Sequence, residues 1–135
     1  MEPEVEQEIV RLVRLAQHAP AEAERALRQL RRTARRLGDQ AGEVACLRLL
    51  AVLAKGEGSG EKARKAYAAI LKMRPDDVAA LLGFGHACER LGRFVEAWNA
   101  LKKARDLSGS DQGKLTKIDD DMDRIARRIR SRKMN

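Results

Sequence analysis

Aromatic side chains are almost absent from this chain: one Trp, one Tyr and two Phe make up 3% of its 135 residues. A core with so few rings must be aliphatic, and a surface for stacking nucleic-acid bases has little to draw on. Cysteine is as scarce. Cys46 and Cys88 stand 42 positions apart, which excludes a disulfide scaffold and points to a reducing, cytoplasmic setting. Three prolines leave long stretches without a helix breaker. Arg, Lys or Glu interrupts every apolar stretch, so none reaches the ~20 residues of a membrane span. Residues 1–7 are acidic, unlike a signal peptide.

Catalytic patterns are missing as well. The sequence holds no HExxH, CxxC, GxGxxG or phosphate-loop motif. His86 and Cys88 are two apart and do not face one another on a helix. Cys88 falls on a core position, and Cys46 falls near the surface with no His at helical contact spacing. The run Asp119-Asp120-Asp121-Met122-Asp123 lacks the alternating ligands, mid-loop Gly and closing Glu of a calcium loop. It reads as a solvated helix face. No catalytic residue, metal or cofactor is expected, and the chain is taken as a non-enzyme.

What the sequence does hold is helix-forming and basic. Ala, Leu, Glu, Lys and Arg supply 76 positions, and 44% of residues are hydrophobic, too many for a disordered chain. Lys and Arg outnumber Asp and Glu by 28 to 20, for a net charge of +8. The charges are segregated. Glu2, Glu4, Glu6 and Glu8 make the start acidic, whereas residues 124–135 carry six cations and no anion.

Apolar residues recur at steps of three and four throughout, the signature of amphipathic helices. Val5, Ile9, Leu12, Val13 and Ala16 mark one helical face. Pro20 ends that helix or starts the next, which carries Ala23, Ala26, Leu27, Leu30, Ala34 and Leu37 and closes at Gly38. Further helices are expected over 42–54, 61–74, 77–91, 95–107 and 115–130. Gly56, Gly58, Ser59 and Gly60 break the first pair, Gly92 the second, and 108–111 supplies an N-cap for the last. No strand candidate appears.

Sliding 44–77 onto 78–111, an offset of 34, aligns these landmarks. Leu47 falls on Leu81, Leu50 on Phe84, Ala51 on Gly85, Gly58 on Gly92 and Ala63 on Ala97. The small residues stand where two helices come too close for a longer side chain. With Ala87, Phe94, Glu96, Leu101, Ala104 and Leu107, this pattern resembles the tetratricopeptide repeat (TPR) family. The resemblance covers nearly the whole chain as one unit, 1–135: a degenerate repeat over 5–40, two matched repeats, and a capping helix with a basic tail over 112–135. It implies an all-α fold, a right-handed superhelical stack of antiparallel helix hairpins with about seven helices.

The resemblance also implies a function, a protein–protein interaction module such as an adaptor or assembly factor. A peptide or helix from another protein would lie in the concave groove lined by the first helix of each hairpin. The family's groove positions fall on Arg48, Val52 and Lys55, on Leu82, His86 and Glu89, and on Lys117 and Asp120, with Arg11, Leu15 and His18 in the degenerate repeat. Arg48, Lys55 and Lys117 suit an acidic partner, and Val52 and Leu82 suit apolar anchors. Chaperone-binding members hold a carboxylate with Lys and Asn. Here Val52 and Gly83 stand where Asn is needed, which argues against that ligand. A competing reading is electrostatic binding of nucleic acid or an anionic surface. It would use the row Arg25, Arg28, Arg32 and Arg36 at i, i+3, i+7 and i+11, and the basic end Arg127, Arg128 and Arg130. A third is self-association through Leu or Ile exposed on the terminal helices.

Overall fold

In the computed structural model, which describes residues 1–134, seven α-helices follow one another: α1 (Pro3–Ala16), α2 (Pro20–Arg36), α3 (Gln40–Gly56), α4 (Gly60–Met73), α5 (Val78–Arg90), α6 (Phe94–Leu107) and α7 (Gln112–Met134). No strand occurs among the described residues. Each helix packs against the next, and α1 also touches α3, so the architecture is an all-α stack of helix hairpins. Among the described residues no helix is long and apolar enough to cross a membrane.

The turns explain the helix ends. Pro3 and Pro20 open α1 and α2, where a missing N–H costs no intrahelical bond. Gly58 and Gly92, 34 residues apart, take φ of 79° and 77° in the left-handed region. Behind them the Ser59 N–H bonds to the Ala54 carbonyl and the Arg93 N–H to the Cys88 carbonyl, both at 2.8 Å. That six-to-one bond satisfies a carbonyl that the helix end would orphan. The same bond from Asp39 to Ala34 closes α2. Asp39, Ser59, Asp77 and Asp111 then cap the helices that follow, each accepting a backbone N–H three residues on. Two expected boundaries shift. Gly56 remains helical and Gly60 already belongs to α4, because only Gly58 among them takes a positive φ. The last helix continues past Arg130 to Met134, where Arg132 donates to the Gly92 carbonyl at 2.7 Å and lies 4.6 Å from the Phe94 ring.

The core is aliphatic, as the shortage of rings requires. Leu12, Leu27, Val44, Cys46, Leu47, Leu50, Ile70 and Ala80 fill one cluster, and Leu81, Cys88, Leu101, Ile118 and Ile125 anchor another, with Leu71 packed against both. Small residues set the helix spacing. Ala51 and Ala97 are wholly buried, and a Cβ added to Gly85 would meet Leu101 at 3.1 Å. On α2 Ala23 is wholly buried and Ala26 only half-buried. Several side chains depart from their expected places. Cys46 is buried, not superficial, because it belongs to the first core cluster. Val13 is 41% exposed despite its place in the apolar row of α1, since Val5 and Leu12 take the core positions. Leu37 is exposed because α2 has already ended at Arg36 and the chain turns away there. Asp121 is not solvated like its neighbours but is drawn against α5.

Asp39 ties the first two hairpins together. Its buried carboxylate accepts the Glu2 N–H at 2.8 Å and the Gly42 N–H at 2.9 Å, and these two donors hold its carboxyl below the usual range. A methyl group on Gly42 would fall on that carboxylate and on Val5. Gly42→Ala should therefore destabilise by about 1–3 kcal/mol in urea unfolding, although Ala favours a helix by about 1 kcal/mol. Because folding lowers the Asp39 pKa, its contribution is present at neutral pH and fades as pH falls through the folded value. Asp39→Ala should lower the melting temperature at pH 7, and the gap from the parent should close on acidification.

Candidate functional site

Arg48, Val52 and Lys55 share one face of α3 through their i, i+4 and i+7 spacing, but the fold uses them differently. Arg48 is committed to an ion pair with Asp77, the N-cap of α5. Burial opposes ionisation of Asp77, and the Arg48 guanidinium and Ala80 N–H outweigh it and hold the carboxyl low. Val52 is 61% exposed. Lys55 borders a cavity of ≈ 80 Å³ between α3 and α5, with Tyr67, Gly83 and His86 on its wall. A side chain on Gly83 would strike the Tyr67 ring, so glycine there makes room for an aromatic, not for a missing clamp residue.

Two of the candidate positions on α5, His86 and Glu89, bond to α7. His86 Nε2 lies 3.0 Å from Asp121 Oδ2. Arg124 donates to Glu89 through Nε at 2.7 Å and Nη2 at 2.8 Å, and to Asp121 through Nη1 at 2.9 Å. This fork pairing with Glu89, then Asp121, raises the Arg124 pKa further. Leu82 is half-buried against the second core cluster. Lys117 and Asp120 remain exposed on α7, and no ion pair holds either among the described residues. Arg11 bonds to Glu8, Leu15 is half-buried and His18 exposed.

The open apolar surface lies at the other end of the stack. Between α1 and α3, Val13, Ala16, Gln17, Leu49, Val52 and Leu53 line an opening of ≈ 290 Å³ above buried Leu12 and Leu27. It adjoins a larger one of ≈ 480 Å³ that reaches Pro20 and Gly56. Of its residues only Val52 is among the groove positions that the family resemblance implies. The apolar row of α1 places Val13 in the core, and the signal against this is an apolar arc wider than a single neighbouring helix covers. Exposed Leu or Ile does not occur on the terminal helices among the described residues. Leu12, Ile118 and Ile125 are buried and Ile9, Leu15, Leu115 and Ile129 half-buried, so the exposed aliphatic groups of α1 are Val10 and Val13.

The basic residues also regroup. Arg28 and Arg32 face a cleft beside α4 together with Arg31, Arg35, Lys62 and Lys65, whereas Arg25 and Arg36 do not line it. In the sequence, the row at 28, 31 and 35 is as regular as the row at 25, 28, 32 and 36, and only the position of α4 distinguishes them. On α7, Arg128 stands 5.9 Å from the Phe94 ring, while Arg127 and Arg130 are exposed. Burial pushes the Cys46 and Cys88 thiols up to about 11, which leaves little thiolate for chemistry at neutral pH. Neither the protein-family models nor the curated proteins match this chain.

The Arg124 fork predicts how α7 is held. Arg124→Glu sets like charges beside Glu89 and Asp121. Amide hydrogen exchange in α7 should accelerate about fivefold, the factor for about 1 kcal/mol, with exchange in α3 unchanged.

Proposed function

We propose that the chain is a non-catalytic protein-interaction module of the tetratricopeptide-repeat kind, acting as an adaptor or assembly factor, and that a partner's peptide or helix docks in the trough between α1 and α3. The observation that carries this reading is Val52. A valine 61% exposed at the rim of an apolar trough, on a helix packed from both sides, is preorganised to receive an apolar anchor. The repeat assignment is supported by the left-handed glycines at 58 and 92 and by the small residues at 51, 63, 85 and 97, all 34 apart in pairs.

The groove in this proposal is shorter than the one drawn from sequence. His86 and Glu89 are engaged by α7 and Arg48 by Asp77, so the partner's main contacts are Val13, Leu49, Val52 and Leu53. Lys55, one turn beyond Val52 and without an ion pair among the described residues, favours a carboxylate flanking the apolar anchor. Two unbridged, buried thiols suit a reducing cytoplasm.

Val52→Asp tests the reading. Because the side chain is exposed, melting should stay within a few degrees of the parent. Partners captured by the parent should be lost, since removing a central apolar anchor costs about 2 kcal/mol or ~30-fold in affinity. Undiminished capture would move the site off this trough.

A further inference from the structure

We propose a second, separate docking surface: the cleft between α2 and α4 takes an acidic polypeptide segment from another protein. Arg28, Arg31, Arg32 and Arg35 on α2 and Lys62 and Lys65 on α4 line two adjoining openings of ≈ 390 and ≈ 280 Å³. The two share Arg28, Arg31 and Leu50, so they form one trough along α2.

The chain itself shows how this trough holds a carboxylate. Glu24, at one end, accepts from Arg28 Nη2 and from Lys62 Nζ, both at 3.1 Å, and so bridges α2 and α4. Arg31 is held by Glu43 at 3.3 Å. Internal carboxylates thus satisfy Arg28, Arg31 and Lys62. Arg32, Arg35 and Lys65 have no carboxylate partner among the described residues, and all three are exposed. Arg32 bonds only to the neutral Gln29 side chain, at 3.4 Å. Arg32 and Arg35 line one opening and Lys65 the adjoining one, and holding unpaired cations along one trough carries a repulsive cost that incoming carboxylates would relieve.

Geometry and lining favour a peptide over a nucleic acid. From Glu24 to Arg35 the trough runs about 16 Å along the helix, room for about five extended residues. Its floor is aliphatic, with Leu47, Leu50 and Ala66, and no aromatic residue lines it, so a base has nothing to stack on. A peptide can place its carboxylates over Arg32, Arg35 and Lys65 alone, and guanidinium forks match carboxylates in pairs.

Fluorescence anisotropy with three labelled probes decides the matter: a twelve-residue peptide of Glu with interspersed Leu, the same peptide with Gln for Glu, and a twelve-nucleotide oligouridylate. The acidic peptide should bind, with affinity falling steeply with salt, and the Gln peptide should not. Arg32→Glu/Arg35→Glu should weaken the acidic peptide at least tenfold. Both side chains are exposed, and unchanged melting of the variant confirms that it folds. Arg127→Glu/Arg130→Glu, the same charge change on α7, should leave binding within twofold. Absence of binding, equal loss in both double variants, or tighter cleft-dependent binding of oligouridylate would overturn the proposal. Val52→Asp should bind the acidic peptide like the parent, which separates this surface from the α1–α3 trough.

Discussion

Everything in this molecule depends on how closely its helices approach one another at alanine and glycine. With four aromatic residues in the chain, the core cannot be propped open by rings, and its stability comes from aliphatic groups brought into contact. Ala51, Ala97 and Ala104 are wholly buried, and Gly85 lies against Leu101 and the Ala97 backbone. Longer side chains at these points would separate the helices and forfeit the contacts of Leu12, Leu27, Ile70 and Leu101. The glycine turns serve the same end. The turns at Gly38, Gly58 and Gly92 reverse the chain within three residues and keep consecutive helices side by side, and Asp39 and Ser59 each satisfy a backbone donor at the start of the next helix.

Close packing of this kind also decides where surface remains. A hairpin has two sides, and each is covered only if another helix lies on it. The side of α5 that meets α7 is closed by the Arg124–Glu89 fork and the His86–Asp121 contact. The side of α3 beside α1 keeps Val52 uncovered, because α1 leans on α2 more than on α3. Between α2 and α4 the long basic side chains stand apart and leave a cleft. Carboxylates pair with Arg28, Arg31, Arg48, Arg64, Arg105 and Arg124, whereas Arg32, Arg35 and Lys65 beside the cleft have no carboxylate partner among the described residues.

Helix number, order and most boundaries were legible in the sequence, since they follow from local signals. Apolar spacing marked every helix, Gly38, Gly58 and Gly92 marked turns, and Asp111 marked a cap. Legibility ended where a side chain's role depends on a distant helix. Val13 and Leu12 are neighbours in the same apolar row, yet one is 41% exposed and the other fully buried. Asp120 and Asp121 belong to one acidic run, yet only Asp121 meets His86. Arg31 and Arg35 look no different from Arg25 and Arg36 until α4 is in place.

By itself the sequence determined an all-helical chain with an aliphatic core and two hairpins offset by 34 residues, because periodicity, capping and turn chemistry act within a few residues of one another. Only the tertiary structure decided which cations are already neutralised, which valines stay in water and which helix faces remain unpartnered. Those properties depend on contacts between residues 29 to 40 positions apart, such as Arg48 with Asp77, Glu89 with Arg124 and Gly92 with Arg132. No local pattern records which of several equivalent faces a neighbouring helix will cover.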